Sequence, residues 1–128
     1  MKTILIIDDE KRIRAVYKAI LLKEGYQVLE ASNAVEGRDK IKLGDVNLVL
    51  LDIKMAEIGG NVLYEVIRSF HKEVMVIVSS VLPIIEQMKM VPSAFDYHDK
   101  ADGNDILLRK VEKAFCQEDP KSYKYGGT

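Results

Sequence analysis

Three short runs of the chain are apolar without interruption: ILII at residues 4–7, LVLL at 48–51 and VMVIV at 74–78. They are rich in leucine and β-branched residues and do not alternate with polar ones. A strand open to water on one face shows period-two alternation, so unbroken runs of four or five predict strands covered on both faces, as in a parallel sheet. Residues 26–30 after Gly25 and residues 94–97 supply a fourth and a fifth strand candidate. Helical periods lie between them. Ile13, Val16, Tyr17, Ile20 and Leu21 repeat on one helical face, and Val62, Leu63, Val66, Ile67 and Phe70 do so again. Residues 33–43 predict a helix ended by Gly44. Pro83 opens another that runs to about Met90 before Pro92, and residues 106–115 predict the last, with Val111 and Phe115 inward. Five β-α units in succession predict a doubly wound α/β fold: a five-stranded parallel sheet with right-handed crossovers and helices on both faces.

Composition narrows the function classes. The chain has 128 residues, 48% of them hydrophobic, which suits one domain with a sizeable core. Lysine plus arginine number 19 against 20 acids, a net charge of −1, so there is no bulk electrostatic reason to bind nucleic acid or an anionic membrane. One cysteine, Cys116, excludes an internal disulfide or a thiolate metal cage. No apolar run is long enough to span a bilayer, and the start of the chain lacks a signal-peptide core. A soluble, cytoplasmic protein is expected. Residues 1–117 form the expected domain, and 118–128 a polar tail or truncated linker.

Ligands of such sheets bind beyond the carboxyl ends of the strands. The residues following the runs are therefore informative: Asp8, Asp9 and Glu10 after the first, Asp52 after the second, Ser79 and Ser80 after the third, and Lys100 just beyond the fifth strand. Carboxylates gathered at one edge repel unless protonated or neutralised. A hard cation such as Mg²⁺, which takes a few carboxylates, waters and a phosphoryl oxygen, fits them. An aspartate can serve as a nucleophile that forms an aspartyl phosphate. Lys100 can neutralise a phosphoryl oxygen, and Ser79 can donate a hydrogen bond to another. Individually each has a plainer reading: Asp9 as cap of a helix starting near Glu10, Asp52 as a turn residue, Ser79 as a loop hydroxyl, Lys100 as a solvated charge. Their convergence at four strand ends favours a site. His71 and His98 have no ligand spacing and are expected at the surface. Cys116 lacks an evident base, and Met88 and Met90 are expected in the core. Neither GxGxxG nor a P-loop is present.

The pieces ILIIDDE, LVLLDIKMAEIGG, VMVIVSS and AFDYHDK, in this order, resemble a receiver domain of a two-component response regulator across residues 1–117. The resemblance implies the flavodoxin-like strand order 2-1-3-4-5. It implies Asp52 as phosphoacceptor, charged by a histidine kinase or histidine phosphotransfer protein. Mg²⁺ would be held by Asp8, Asp9, Asp52 and the backbone carbonyl of Lys54. Ser79 and Lys100 would bind the phosphoryl oxygens, and Tyr97 would be the aromatic that turns inward as Ser79 is drawn to the phosphate. Gly60 would open the third helix. A kinase would dock near Glu10, Ile13 and Arg14 on a basic first helix, and the fourth helix, fifth strand and fifth helix would read out the state to a partner. The chain would be a switch assisting its own phosphorylation and dephosphorylation rather than an enzyme acting on a separate substrate, with no contact to nucleic acid or membrane.

The chain also departs from that pattern. Ala101 replaces the usual proline after Lys100, and because a cis bond there would cost about 2.5–4 kcal/mol, a trans Lys100–Ala101 bond is expected. Ala56 stands where a proline is usual, Ser80 where alanine or glycine is, and the stretch from Ser79 to Lys100 is slightly short. These departures leave a second reading open, a receiver-like binding module that works without phosphorylation. A third is a Mg²⁺-dependent phosphohydrolase with Asp52 as nucleophile. It expects an aspartate at position 54, where this chain has lysine.

Overall fold

A computed structural model describes residues 1–55 and 58–118. Strands and helices alternate: β1 Thr3–Ile7, α1 Lys11–Lys23, β2 Gln27–Ala31, α2 Ala34–Lys42, β3 Leu48–Leu51, α3 Gly60–Phe70, β4 Met75–Ser80, α4 Ile84–Met90, β5 Asp96–Asp99 and α5 Asn104–Glu118. All strand pairs are parallel, in the order β2-β1-β3-β4-β5. The winding direction reverses at β1, which has β2 on one side and β3 on the other.

Alternation along the central strands sorts the core into two layers. Leu5, Ile7, Val49, Leu51, Val76 and Val78 point to one face, where Ala34 and Ile41 of α2 and Leu63, Tyr64 and Ile67 of α3 cover them. Ile4, Ile6, Leu48, Leu50 and Ile77 point to the other, under Tyr17 and Leu21 of α1 and Leu107, Val111 and Ala114 of α5. Register places the strand ends level: Ile7 pairs with Leu51, Leu51 with Val78, and Val78 with Tyr97. Residues 8, 52 and 79 therefore leave the sheet at one height, and alternation directs all three to the α1/α5 face.

Helix ends follow local chemistry. Asn33 caps α2, its side chain accepting from Glu36 N–H at 2.9 Å, while the Glu36 carboxylate returns to Ser32 N–H at 2.7 Å. The N-cap of α1 is Glu10, without a side-chain cap, so Asp9 is not the capping residue. Gly60 opens α3 beneath the end of β3, where a Cβ would lie 2.3 Å from Asp52 O and 2.7 Å from Ile53 Cα. Helix propensity alone favours Gly60→Ala by about 1 kcal/mol. The backbone collision reverses the sign, and urea unfolding of Gly60→Ala is expected to show a loss of about 1–3 kcal/mol. A gain would mean that α3 is free to shift.

Several sequence expectations shift or fail. The second and fourth strands are 27–31 and 75–80 rather than 26–30 and 74–78, so Ser79 and Ser80 end β4 instead of following it. The fifth strand is Asp96–Asp99, not 94–97. Its polar residues mask it because it is an edge strand with β4 as its one neighbour. Alternation puts His98 beneath α5, 1% exposed, so it is no surface residue, whereas His71 is half-buried. Met88 and Met90 are exposed, because the inward position of the short α4 is taken by Gln87, fully buried. Gln87 Nε2 donates to Leu82 O at 2.7 Å and His98 O at 2.9 Å, tying α4 to β5 by hydrogen bonds. Val16, Val62 and Phe70 also face outward, the apolar stripes of α1 and α3 being wider than the sheet can cover. The boundary expected after residue 117 falls in the last turn of α5, and most of the expected tail, like Ala56, lies outside the described residues.

Candidate phosphoryl-transfer site

The site forms where β1, β3, β4 and β5 end. Asp8 extends β1, its N–H donating to Ala31 O at 3.1 Å, and Asp52 extends β3, its N–H donating to Ile7 O at 2.9 Å. Backbone ladders thus fix both aspartates, and both are buried. Asp8 Oδ1 accepts from Glu10 N–H at 2.9 Å, and Asp52 Oδ1 accepts from Lys54 N–H at 3.0 Å. Each turn occupies one carboxylate oxygen and leaves the other facing the site. Lys100 follows β5 directly and enters a 3-10 turn, Lys100–Asp102, through a trans bond to Ala101, as expected. Its Nζ donates to Asp8 Oδ2 at 2.8 Å and stands 3.7 Å from Asp52 Oδ2.

One buried ammonium thus serves two buried carboxylates, with the exposed Asp9 beside them. Burial pushes the Asp52 carboxyl from 3.8 up to about 6. Lys100 and the Lys54 N–H pull it down, and the charges of Asp8 and Asp9 push it up. Burial pulls Lys100 down, but the bond to Asp8 and the charge of Asp52 outweigh it, leaving its pKa above the usual value. Carboxylate oxygens of Asp8, Asp9 and Glu10 lie within 4.8 Å of one another. Such an all-oxygen cluster, with Asp52 adjoining Asp8 through Lys100, suits a hard divalent cation. Sequence reasoning left Glu10 out of that set.

Ser79 is buried at the end of β4, and its Oγ lies 3.0 Å from the hydroxyl of Tyr17 on α1. Tyr17 was read only as part of an apolar stripe. The available signal was its phenolic oxygen, which needs a partner when the ring is buried. Ser80 sits on the opposite face, bracing the next turn by accepting from Leu82 N–H at 3.2 Å. Tyr97 is buried, its hydroxyl donating to Val91 O and accepting from Ala94 N–H at 3.1 Å. The ring therefore stands inward while Ser79 is engaged with Tyr17. Of the residues expected to dock a kinase, Glu10 is exposed and Ile13 half-buried. Arg14 is already engaged: it donates to Asp8 O at 2.7 Å and pairs with Glu30 at 3.2 Å, bracing α1 against the sheet. Lys54, whose carbonyl is the expected metal ligand, meets Asp52 through its N–H.

The sequence profile of the response regulator receiver domain matches residues 4–112. The chemotaxis protein CheY of Bacillus subtilis is 34% identical over 110 residues, covering 85% of this chain and 86% of that one. The transcriptional regulatory protein ZraR of Klebsiella oxytoca is 33% identical over 88% of this chain, which spans only 26% of ZraR. The chain likewise spans 29% or less of other curated relatives it matches. Among solved structures, the response regulator TrrA from Thermotoga maritima, in complex with Mg²⁺-BeF, superposes with a TM-score of 0.83 at 34% identity, covering 89% of this chain and 99% of that one. A chain in the structure of histidine kinase ThkA in complex with TrrA gives 0.82 at 34% identity, covering 89% and 98%.

Proposed function

Because the chain belongs to the response regulator receiver domain family of two-component signalling, we propose that Asp52 is its phosphoacceptor, that Mg²⁺ is its cofactor and that a histidine kinase or histidine phosphotransfer protein is the donor. The observation that carries this reading is the Asp52 carboxyl, buried at the end of a central strand with Lys100 Nζ 3.7 Å from its outer oxygen. At pH 7 a group with a pKa of about 6 is mostly ionised, yet burial strips it of the water that would otherwise shield it. An Asp52 oxygen bonds to phosphorus while the phosphorus–nitrogen bond of phosphohistidine breaks, its electron pair returning to the imidazole. Lys54 N–H holds Oδ1 and leaves Oδ2 the freer nucleophile. Lys100 exchanges Asp8 for a phosphoryl oxygen, and Ser79 donates to another.

Mg²⁺, when bound, offsets the carboxylate charge and orients phosphoryl oxygens. Asp8 and Asp9, with Asp52 and the Lys54 carbonyl, would hold it, Glu10 completing the acidic cluster. Water attacking phosphorus later returns the carboxylate and inorganic phosphate. Phosphorylation biases a pre-existing equilibrium that is read on α4, β5 and α5, where Ile85, Met88 and Met90 offer exposed apolar surface to a protein partner. The switch runs from β1 through the end of α5 at Glu118. Among the described residues no helix is long and apolar enough to cross a membrane.

Incubation with acetyl phosphate, with and without Mg²⁺, followed by intact mass measurement tests the reading. One phosphoryl group gained with Mg²⁺ and lost in Asp52→Ala is the expected result. No gain, under conditions that label a known receiver, would favour the phosphorylation-independent binding module. Catalytic turnover of a small phosphoester would favour the phosphohydrolase.

A further inference from the structure

We propose that Tyr17 is a positioning residue for this site: its buried hydroxyl donates to Ser79 Oγ and thereby commits the Ser79 proton to the phosphoryl oxygens arriving on Asp52. The inference rests on Asp52 being the phosphoacceptor. Tyr17 is 4% exposed and Ser79 2% exposed, on facing elements, with their oxygens 3.0 Å apart. Tyr17 reaches Ser79 because α1 covers the face to which residues 8, 52 and 79 project. Its hydroxyl lies close enough to Lys100, Asp8 and Asp52 for their charges to act on it, and burial keeps it protonated.

The two hydroxyls carry two protons, and each finds its hydrogen-bond partner in the other among the described residues. If Ser79 donated to Tyr17, the phenolic proton would be left buried without an acceptor, an arrangement folded proteins avoid. If Tyr17 donates instead, the Ser79 proton is the one without a protein acceptor among the described residues, and an arriving phosphoryl oxygen can accept it. Tyr17 is also the more acidic hydroxyl and hence the better donor. Accepting that bond polarises Ser79 and makes its own O–H a stronger donor. Ser79 stands one position past the Leu51–Val78 pair, level with Asp52. Its side chain therefore leaves the sheet at the same height and on the same face as the Asp52 carboxylate. Without the phenol, the Ser79 hydroxyl can rotate, and its proton is no longer held toward the phosphoryl group.

The test is a double-mutant cycle on the rate of Asp52 labelling by acetyl phosphate with Mg²⁺, using wild type, Tyr17→Phe, Ser79→Ala and the double variant. In this step an Asp52 oxygen bonds to phosphorus, the phosphorus–oxygen bond to the acetyl group breaks, and acetate leaves with the electron pair. Tyr17→Phe is expected to slow labelling roughly two- to ten-fold when Ser79 is present, the range of one hydrogen bond. It should change little when Ser79 is alanine. Equal slowing in both backgrounds would make Tyr17 merely structural, and a wild-type rate in Tyr17→Phe would leave it no role; either overturns the proposal. Circular dichroism checks the fold, and Tyr17→Met deletes the same hydroxyl if the bare phenyl ring does not pack. A wild type that takes no label defeats the phosphoacceptor reading, and this inference with it. A labelled wild type with independent effects defeats only the role of Tyr17.

Discussion

Asp52→Asn is expected to stabilise the fold in the presence of EDTA at pH 8 by about 3 kcal/mol, with the gain shrinking as pH falls from 6 toward 4. The folded protein raises the Asp52 carboxyl from 3.8 to about 6, chiefly by burial. Between those values the native state holds a proton that the unfolded chain has released, so stability falls as pH rises through the window. Well above 6 the full displacement weighs against folding, about 3 kcal/mol at 1.36 kcal/mol per pH unit. Asparagine carries no charge to desolvate and still offers an oxygen to Lys54 N–H. For a chain of this size the rise in melting temperature is roughly 10 °C. Thermal unfolding of both proteins at pH 4, 6 and 8 checks it. A variant equally or less stable at pH 8 would mean that Lys100 fully compensates the buried charge.

Lys100→Met should have the opposite and comparably large effect. Among the described residues the lysine is the one cation paired with both the Asp8 and the Asp52 carboxylate, and its side chain is 10% exposed. Its raised pKa means that its contribution is complete below the ordinary lysine value and is lost only at strongly alkaline pH. Removing one partner from a buried ion pair costs about 3–5 kcal/mol, because the remaining charges cannot recover their water. The loss should be greater at pH 8 than at pH 5, where Asp52 can protonate instead. Millimolar Mg²⁺ should restore part of it at pH 8 by binding the folded state. Urea titrations at the two pH values, with EDTA or Mg²⁺, give the four numbers required. A loss independent of pH and of Mg²⁺ would show that the lysine acts through packing of its stem rather than its charge.

Both effects concern residues that were legible without a structure, for a physical reason. A strand covered on both faces admits almost no polar side chains, so the first polar residue after each run marks where the strand leaves the sheet. Asp8 and Asp52 were found this way, and Ser79 within one residue, whereas Lys100 was placed only as lying just beyond a weak fifth strand, which is itself polar. The same logic failed where a residue's type and its position disagree. Tyr17 looked like core because its ring is core, and only its oxygen belongs to the site. Gln87 occupies the inward position of α4 and displaces Met88 and Met90 to the surface, an exchange that no hydrophobic pattern announces. His98 is buried because β5 turns that face beneath α5. Burial pulls its pKa down, and Lys110 pulls it further, while Asp102, Asp99 and Asp96 oppose the shift. Arg14 looked free for docking, yet its partners Asp8 O and Glu30 come from the ends of two other elements.

The level ending of β1, β3 and β4 also determines where the chain can change length. Inserting or deleting one residue inside β3 would exchange the faces of Asp52 and Leu51, putting an apolar side chain into the site and a carboxylate under α3. A two-residue change would restore the face but move the carboxylate about 6–7 Å along the strand, away from Lys100. The opposite edge of the sheet carries no site residue. The turns entering β2 and β3 there, with Gly25 and Gly44 at positive φ, lie on the surface. Insertions, labels or fused domains therefore belong at those turns, and the four strand ends that build the site are the places to leave at their present length.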